Sequence, residues 1–268
     1  MSTDAALWQL YAIRYARHDR VAHENFLGGD PHDNSPMPID YFVWAAISAE
    51  RVFVIDTGFD RAMALKRGRE FLQPPGDGLR AIGIDPDDVA DVIISHMHYD
   101  HCGNVDLFPR ARYHVQDKEM HYCTGRCMCH RQLRASYEED YVVSMLRKLY
   151  AGRVTFHDGV DELAPGVTLH HIGCHAMGLQ SIRVKTKRGY VMLAADAVHL
   201  YPHLDEARIF PTTYNLAEVL EGYETLKKLA SSRHHIVPGH DPAVMKLYPA
   251  ATPALAGLVV RLDVDPKV

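Results

Sequence analysis

A run of four potential metal ligands within six residues constrains this sequence more than any other feature. His96, His98, Asp100 and His101 directly follow an apolar run over residues 89–95, which predicts a buried strand. On extended backbone, residues two apart point to the same side, so His96 and His98 can converge on one point. Asp100 and His101, expected in the loop that follows, can face a second point. Three imidazoles and a carboxylate suit zinc or a similar divalent ion, and a polar loop of solvated histidines is the weaker alternative.

Three further residues of ligand type follow predicted strands. His175 stands in Gly173–Gly178 just after an apolar run, and Asp196 ends the apolar run over residues 191–195. His240 follows Pro238-Gly239, again at a strand end. Taken singly, His175 or His240 could be a buried histidine that hydrogen-bonds to the backbone. This explanation is weaker when both residues accompany the first motif.

Composition and charge exclude several classes of protein. The 268 residues carry a formal net charge of −5, which argues against a dedicated nucleic-acid binder. The apolar stretches are too short to span a bilayer, so no membrane partner is expected. An odd number of cysteines, five, disfavours a disulfide framework. With no signal-peptide pattern at the N-terminus, we expect a cytoplasmic protein.

Periodicity predicts short strands and helices in alternation. The predicted strands are residues 8–15, 41–48, 51–56, 89–95, 112–115, 167–172, 181–185, 190–194 and 236–237. The predicted helices are residues 62–72, 76–84 and 216–230, with a helical insertion over 117–150 and a polar arm or loop over 18–39. Few linker signals interrupt the pattern, so residues 1–268 are expected to form a single domain.

The order of these ligand-type residues resembles the metallo-β-lactamase superfamily, and Asp56-Thr57-Gly58 resembles an early turn of that family. The resemblance implies an α/β fold, an αββα sandwich with two mixed β-sheets flanked by helices and the metals at the edge between the sheets. It also implies two zinc ions per chain, or other divalent metals. One ion would be held by His96, His98 and His175, the other by Asp100, His101 and His240, and Asp196 would bridge both.

Within the superfamily, the complete ligand set and the chain length resemble the N-acyl homoserine lactonase group. Only residues 241–268 follow His240, too few for the helical substrate-binding region of the thioesterases that resemble glyoxalase II. The implied function is a dinuclear zinc hydrolase that opens a small lactone, an N-acyl homoserine lactone as in quorum quenching, through a metal-bridging hydroxide. Another lactone, a thioester or a cyclic amide is the alternative substrate. A non-enzymatic relative is a third hypothesis, which the intact ligand set disfavours.

Two residues are assigned catalytic roles. Asp100 would orient the hydroxide and later pass a proton to the leaving oxygen. The lactonases often carry a tyrosine three residues after the bridging aspartate, and His199 stands at that position here. Because a neutral imidazole can donate one hydrogen bond, we predict that His199 stabilises the negative charge that develops on the substrate.

Two segments remain open to more than one interpretation. Cys123, Cys127 and Cys129 lie close together, but their spacing is not a recognised zinc pattern, and a helical lid over the substrate pocket is favoured over a structural metal site. Residues 18–39 can form a pocket wall or the arm of a possible homodimer. The expected partner is a small-molecule lactone or ester.

Overall fold

A computed structural model describes residues 7–267 of the protein. Its strands are Gln9–His18 (β1), Ile39–Ile47 (β2), Val52–Ile55 (β3), Glu70–Phe71 (β4), Asp91–Ile93 (β5), Arg112–Gln116 (β6), Val154–His157 (β7), Val160–Ala164 (β8), Val167–His171 (β9), Gln180–Thr186 (β10), Gly189–Ala195 (β11), Ile236–Pro238 (β12) and Val259–Arg261 (β13). Its α-helices are Arg61–Arg67 (α1), Pro75–Ala81 (α2), Tyr99–Cys102 (α3), Asp117–Thr124 (α4), Glu139–Tyr150 (α5), Tyr201–Asp205 (α6), Leu216–Leu229 (α7) and Ala243–Leu247 (α8). Within residues 7–267, no helix has the length and apolar character needed to cross a bilayer.

The strands form two mixed sheets. The first has the order β13-β1-β2-β3-β5-β6-β7, with β4 paired to β1. Its pairs are antiparallel from β13 to β3 and parallel from β3 to β7. The second has the order β12-β11-β10-β9-β8, in which only the β11–β12 pair is parallel.

Apolar side chains on both faces of each sheet arrange these elements into layers. Along β2, Phe42 and Trp44 enter the core between the sheets, whereas Tyr41 and Val43 face the core shared with α1 and α2. This alternation is the two-residue period of a strand. The second sheet contributes to the inner core from β9, β10 and β11, and its outer face packs against α7. The helices therefore lie outside two central sheets, which confirms the predicted αββα fold class.

The predicted hairpin at residues 41–56 and the predicted helix at 216–230 are confirmed as β2–β3 and α7. The helix predicted over 62–72 is wrong at its C-terminal end, because α1 ends at Arg67. Gly68 adopts a φ of 65°, a left-handed conformation that glycine reaches without steric cost, and its N–H bonds back to the helix. The chain then pairs Glu70 and Phe71 with β1.

Strands β4, β7, β8 and β13 were not predicted. They are short, and β8 reads Val-Asp-Glu-Leu-Ala, in which the acidic residues are types that strands avoid. β8 forms through its pairing with β9 at the edge of the second sheet. The insertion over 117–150 is helical in α4, in α5 and in a 3-10 turn at Arg126–Cys129. Turns and bends occupy much of the rest of residues 125–138.

Candidate metal centre

The ligand-type residues lie at one edge of the sandwich, where strands of both sheets end. β5 leads through Ile94 and Ser95 to His96. Gln180, at the start of β10, joins the two sheets here, since its Nε2 donates to the carbonyl of Ile94 (2.8 Å) and its N–H to that of Ser95 (2.9 Å). The remaining positions follow strands β9, β11 and β12: His175, Asp196 and His240.

The structure brings these side chains together in two groups that could each hold a metal ion. Within each group the potential ligand atoms all lie within 4.8 Å of one another, and every member is buried. The first group consists of His96, His98, His175 and Asp196, and the second of Asp100, His101, Asp196 and His240. These are the seven residues predicted from the sequence, and the carboxylate of Asp196 belongs to both groups.

One detail of the first motif differs from the prediction. Asp100 and His101 do not lie in a loop but in α3, a single helical turn. His98 precedes this helix with extended dihedral angles, φ −67° and ψ 155°. The change from extended to helical backbone falls between His98 and Asp100, and one short segment supplies ligand atoms to both groups.

In the second group, backbone and side-chain acceptors hold the imidazoles by their far nitrogens. Nδ1 of His101 lies 2.7 Å from Oδ2 of Asp56, and Nδ1 of His240 lies 2.8 Å from the carbonyl of Asp40. Both rings therefore present Nε2 to Oδ1 of Asp196, at 3.2 Å from His101 and 3.1 Å from His240. Such partners fix the tautomer and orientation of a ligating histidine.

In the first group, two rings are held in the same way and the third differs. Nδ1 of His175 lies 2.6 Å from the carbonyl of Thr212, and Nδ1 of His96 lies 3.1 Å from Oγ of Ser95. Both rings present Nε2 to the group. His98 presents Nδ1 instead, which faces Nε2 of His175 at 2.8 Å. The three donor nitrogens thus converge on one point.

Buried nitrogen and oxygen atoms that have no hydrogen-bond partner indicate whether these residues fit metal ions. Among residues 7–267, Nε2 of His96, Nε2 of His101 and Oδ1 of Asp196 are buried without a hydrogen bond, although the last two atoms are close. Buried polar atoms in folded proteins are nearly always satisfied. A divalent ion in each group would satisfy them, and the nitrogen and oxygen donors suit zinc among such ions. The site therefore fits a dinuclear metal centre.

The electrostatics of the two groups differ. Burial lowers the pKa of His96 and of His98 well below the usual value for histidine, so both rings are neutral donors. Burial also acts against the charged forms of Asp196 and His101, but these two stabilise each other as ions. Their neighbours of opposite charge hold the pKa of Asp196 well below its usual value and raise that of His101 well above it. An ion that binds at His101 must therefore displace a proton.

Backbone strain is concentrated beside the ligands. Asp56, Cys174 and Ala195 have positive φ angles of 60°, 68° and 46°, a region that non-glycine residues rarely adopt. Cys174 and Ala195 directly precede His175 and Asp196, and Asp56 accepts from His101. Strain of this kind persists where the surrounding structure enforces it, commonly at functional sites. Asp56 belongs to the turn noted in the sequence, but its contact with His101 was not predicted.

Glu119 also supports the site, although this role was not predicted from the sequence. It is fully buried in α4, where Oε1 accepts from the N–H of Met97 (2.8 Å) and the hydroxyl of Tyr137 (3.0 Å). Oε2 accepts from the N–H of Gly178 (3.0 Å). Glu119 thereby ties the segment of His98 to the loop that carries His175. No local pattern marks this role, because its partners are distant in the chain.

His199 lies beside the shared carboxylate. Its Nε2 is 3.0 Å from Oδ2 of Asp196, and its ring stacks on Phe210 with a centroid distance of 3.8 Å. Burial lowers the pKa of His199 well below the usual value, which favours the neutral imidazole. The structure thus places the predicted donor next to both groups.

Two cavities open beside the metal groups. One, of about 220 Å³, is bordered by Asp100, Asp196 and the arm, which contributes His18, Arg20 and Glu24. The other, of about 290 Å³, is bordered by His98, His175 and residues 132–136 of the helical insertion. The arm therefore borders one cavity and the helical insertion borders the other.

The cysteines of the insertion do not share one environment. Cys123 is buried, Cys127 is partly buried and Cys129 is exposed. In the part of the chain that the structure describes, the only groups arranged to hold a metal are the two at the sheet edge.

Known proteins that are similar to this chain in sequence include N-acyl homoserine lactonases. The chain is 28% identical over 175 residues to the N-acyl homoserine lactonase AttM of Azorhizobium caulinodans, an alignment that covers 61% of this chain and 62% of that one. It is 27% identical over 165 residues to an N-acyl homoserine lactonase of Bacillus cereus, covering 61% and 60% of the two chains. The chain thus spans about three fifths of the length of these curated relatives.

The fold matches a solved structure over nearly its whole length. A crystal structure of a quorum-quenching N-acyl homoserine lactone lactonase superposes with a TM-score of 0.75 at 22% identity, covering 90% of this chain and 95% of that one. Residues 40–240, which include all seven candidate ligands, match the family described as the metallo-beta-lactamase superfamily. The chain belongs to the metallo-beta-lactamase superfamily.

Proposed function

We propose that the protein is a dinuclear zinc hydrolase that opens the ring of a small lactone. The observation that carries this proposal is the sharing of Asp196 by two buried groups of four potential ligands. A carboxylate common to two sites holds a pair of ions close together, an arrangement found in enzymes that use both ions on one reacting bond. The similarity to N-acyl homoserine lactonases supports a cyclic ester as the substrate.

The residues of the chain divide the chemistry between them. Two divalent ions, when bound, would supply Lewis acidity and lower the pKa of a shared water. Asp100 has the position of a proton carrier: it is 7% exposed and borders the cavity, with Oδ2 3.6 Å from Nε2 of His101 and 3.7 Å from Nε2 of His240. It would orient the attacking water and return a proton to the leaving oxygen through its carboxylate. His199 would donate from Nε2 to the oxygen that gains negative charge.

The substrate class follows from the relatives rather than from the metal groups. These relatives are named as lactonases of N-acyl homoserine lactones, and we propose that this chain acts on lactones of comparable ring size. The same arrangement of ligands could act on another lactone, a thioester or a cyclic amide.

A substrate panel tests the proposal. The protein is loaded with zinc and assayed on N-hexanoyl homoserine lactone, γ-butyrolactone, an acyl thioester and a cyclic amide, with and without a chelator. Ring opening of a lactone that stops when the metal is removed is the expected result. Turnover of the thioester alone would replace the lactonase proposal by a thioesterase, and no turnover with two ions bound would contradict a hydrolase.

A further inference from the structure

The cavity between the arm and the metal groups is lined by cationic side chains. Arg20 reaches it from the arm, and Arg67 and Arg69 reach it from the end of α1 and the turn that follows. The three guanidinium groups share this cavity of about 220 Å³ with three carboxylates, those of Glu24 in the arm and of Asp100 and Asp196 in the metal groups.

One of the three charges has an ion-pair partner within the protein. Nη2 of Arg67 lies 2.5 Å from Oε1 of Glu138, and its guanidinium lies over the ring of Tyr99 at 4.2 Å. The guanidinium group of Arg67 is therefore already held by Glu138 and Tyr99.

The other two charges have no carboxylate partner. Within residues 7–267, no acidic oxygen lies within ion-pair distance, 4.0 Å, of Arg20 or Arg69. Nη2 of Arg20 donates to the backbone carbonyl of Glu24, and its Nε is buried with no hydrogen-bond partner. The Glu24 carboxylate is held by the backbone, since its Oε2 accepts from the N–H of Val21 at 2.9 Å, and it acts on Arg20 only from beyond ion-pair distance. Arg20 thus retains an unmet capacity to bind an anion.

Arg69 is fixed next to the reacting centre. Its Nε donates to the hydroxyl of Tyr99 (3.2 Å), and its Nη1 donates to the carbonyl of Arg67 (2.6 Å) and lies 3.1 Å from Nε2 of His18. Tyr99 directly precedes Asp100, so the guanidinium is held one residue from the proposed proton carrier. Nη2 of Arg69 makes none of these contacts.

On the basis of the lactone hydrolase proposed above, we infer that the substrate carries an anionic group, a carboxylate or phosphate, which Arg20 and Arg69 bind while the ester faces the metal groups. Partly buried cations without a direct ion-pair partner are costly, and an anionic substrate offsets that cost when it binds. The planar donor fork of arginine matches carboxylate and phosphate oxygens.

A neutral acyl chain is a poor occupant of this cavity. It would place apolar carbon against two guanidinium groups that lack an ion-pair partner, and their remaining N–H groups would lose water without gaining a hydrogen bond. The second cavity, which Tyr122, Leu133 and Tyr214 border on the other side of His98 and His175, offers an apolar surface for such a chain. The cationic cavity therefore selects acidic lactones over uncharged ones.

Matched substrates and variants test this inference. The zinc-loaded protein is assayed on paraconate, a γ-butyrolactone carboxylate, and on its uncharged carboxamide. We expect kcat/KM to favour the acid by about tenfold or more, the size expected of a hydrogen bond to a charged group. Arg20→Gln and Arg69→Gln should remove that preference, so that the ratio of kcat/KM for the acid to kcat/KM for the amide falls towards one in each variant, and Arg20→Lys should retain part of it. Arg17→Gln is the control, because Arg17 pairs with Asp19 and lies outside the cavity.

Binding measurements separate this inference from the proposed function. Succinate and propyl phosphate, which do not react, are titrated into the zinc-loaded protein and its variants by calorimetry. About tenfold weaker binding of one anion by Arg20→Gln and Arg69→Gln, but not by Arg17→Gln, supports the inference and identifies the anion type. Equal rates on acid and amide, together with anion binding that these variants do not change, would overturn it. Failure to open any lactone, with anion binding intact, would contradict only the hydrolase.

Discussion

Oδ2 of Asp56 lies 2.7 Å from Nδ1 of His101, and both side chains are buried. Asp56 also accepts from the N–H of Ser95 (2.7 Å) and from its hydroxyl (2.8 Å). The carboxylate therefore holds the ring of His101 from behind and, through Ser95, the start of the ligand motif. This contact joins the first turn after β3 to the second metal group.

Asp56→Asn is expected to weaken metal binding at the second group. The amide replaces one acceptor oxygen by a donor, so at least one of the three hydrogen bonds to Asp56 is lost along with the negative charge. Loss of such a partner typically reduces metal affinity by roughly 10- to 100-fold. Zinc titration against a competing chelator measures the change. Asp60→Asn is the control, since Asp60 caps α1 and contacts no ligand, and equal zinc affinities in the two variants would contradict the role of Asp56.

Asp100→Asn tests the proposed proton carrier. The substitution keeps the size of the side chain but removes the group that accepts and returns the proton. We expect a folded protein whose kcat falls by about 100-fold or more, the scale of general acid–base catalysis. Circular dichroism and metal content are measured alongside the rate, so that loss of a ligand is distinguished from loss of the proton carrier. Near-normal turnover would remove Asp100 from the mechanism.

The parts of the site that the sequence predicts are those whose information is local. His96, His98, Asp100 and His101 fall within one segment, and their spacing alone indicates a metal site. His175, Asp196 and His240 each stand at a strand end, and their assignment rests on the order of ligands in a known family. The apolar periodicity predicts most of the strands for the same local reason.

The rest depends on contacts between distant segments. Glu119 acts through Met97 and Gly178, and nothing around Glu119 in the chain marks it as buried. Arg20 and Arg69 share a cavity because β4 pairs with the end of β1, which brings the turn after α1 beside the start of the arm. Such features follow from packing, which sequence periodicity does not describe.

His199→Phe tests the proposed hydrogen-bond donor. Phenylalanine preserves the stacking on Phe210 but removes Nε2 next to Asp196. We expect kcat to fall by about 10- to 100-fold with a smaller change in KM, because the bond is proposed to strengthen as negative charge develops. Steady-state kinetics on the best lactone measure both constants. An unchanged kcat would exclude His199 as a donor in the rate-limiting step.

Gly178→Ala is expected to disrupt the loop that carries His175. An added Cβ would lie 2.0 Å from the backbone nitrogen of Glu119, so α4 or the loop must move. Overpacking against backbone costs about 1–3 kcal/mol of the free energy of unfolding. Chemical denaturation measures this loss, and a zinc titration detects the displacement of His175. Gly76→Ala is the control, because its nearest neighbour would be the end of a flexible arginine side chain at 3.4 Å. Equal stability of the two variants would contradict the tight contact.

Metal removal is expected to destabilise the fold as well as stop catalysis. The unpartnered donor atoms of His96, His101 and Asp196 are buried, so the metal-free site leaves them unsatisfied. A ligand present at about 100 times its Kd stabilises the native state by about 2.7 kcal/mol, which raises Tm by several degrees in a chain of this size. Thermal melts with chelator and with added zinc measure the difference. His240→Gln should reduce it, whereas His234→Gln, at an exposed position outside both groups, should not. A Tm that does not respond to zinc in the unsubstituted protein would contradict a metal centre at this edge of the sheets.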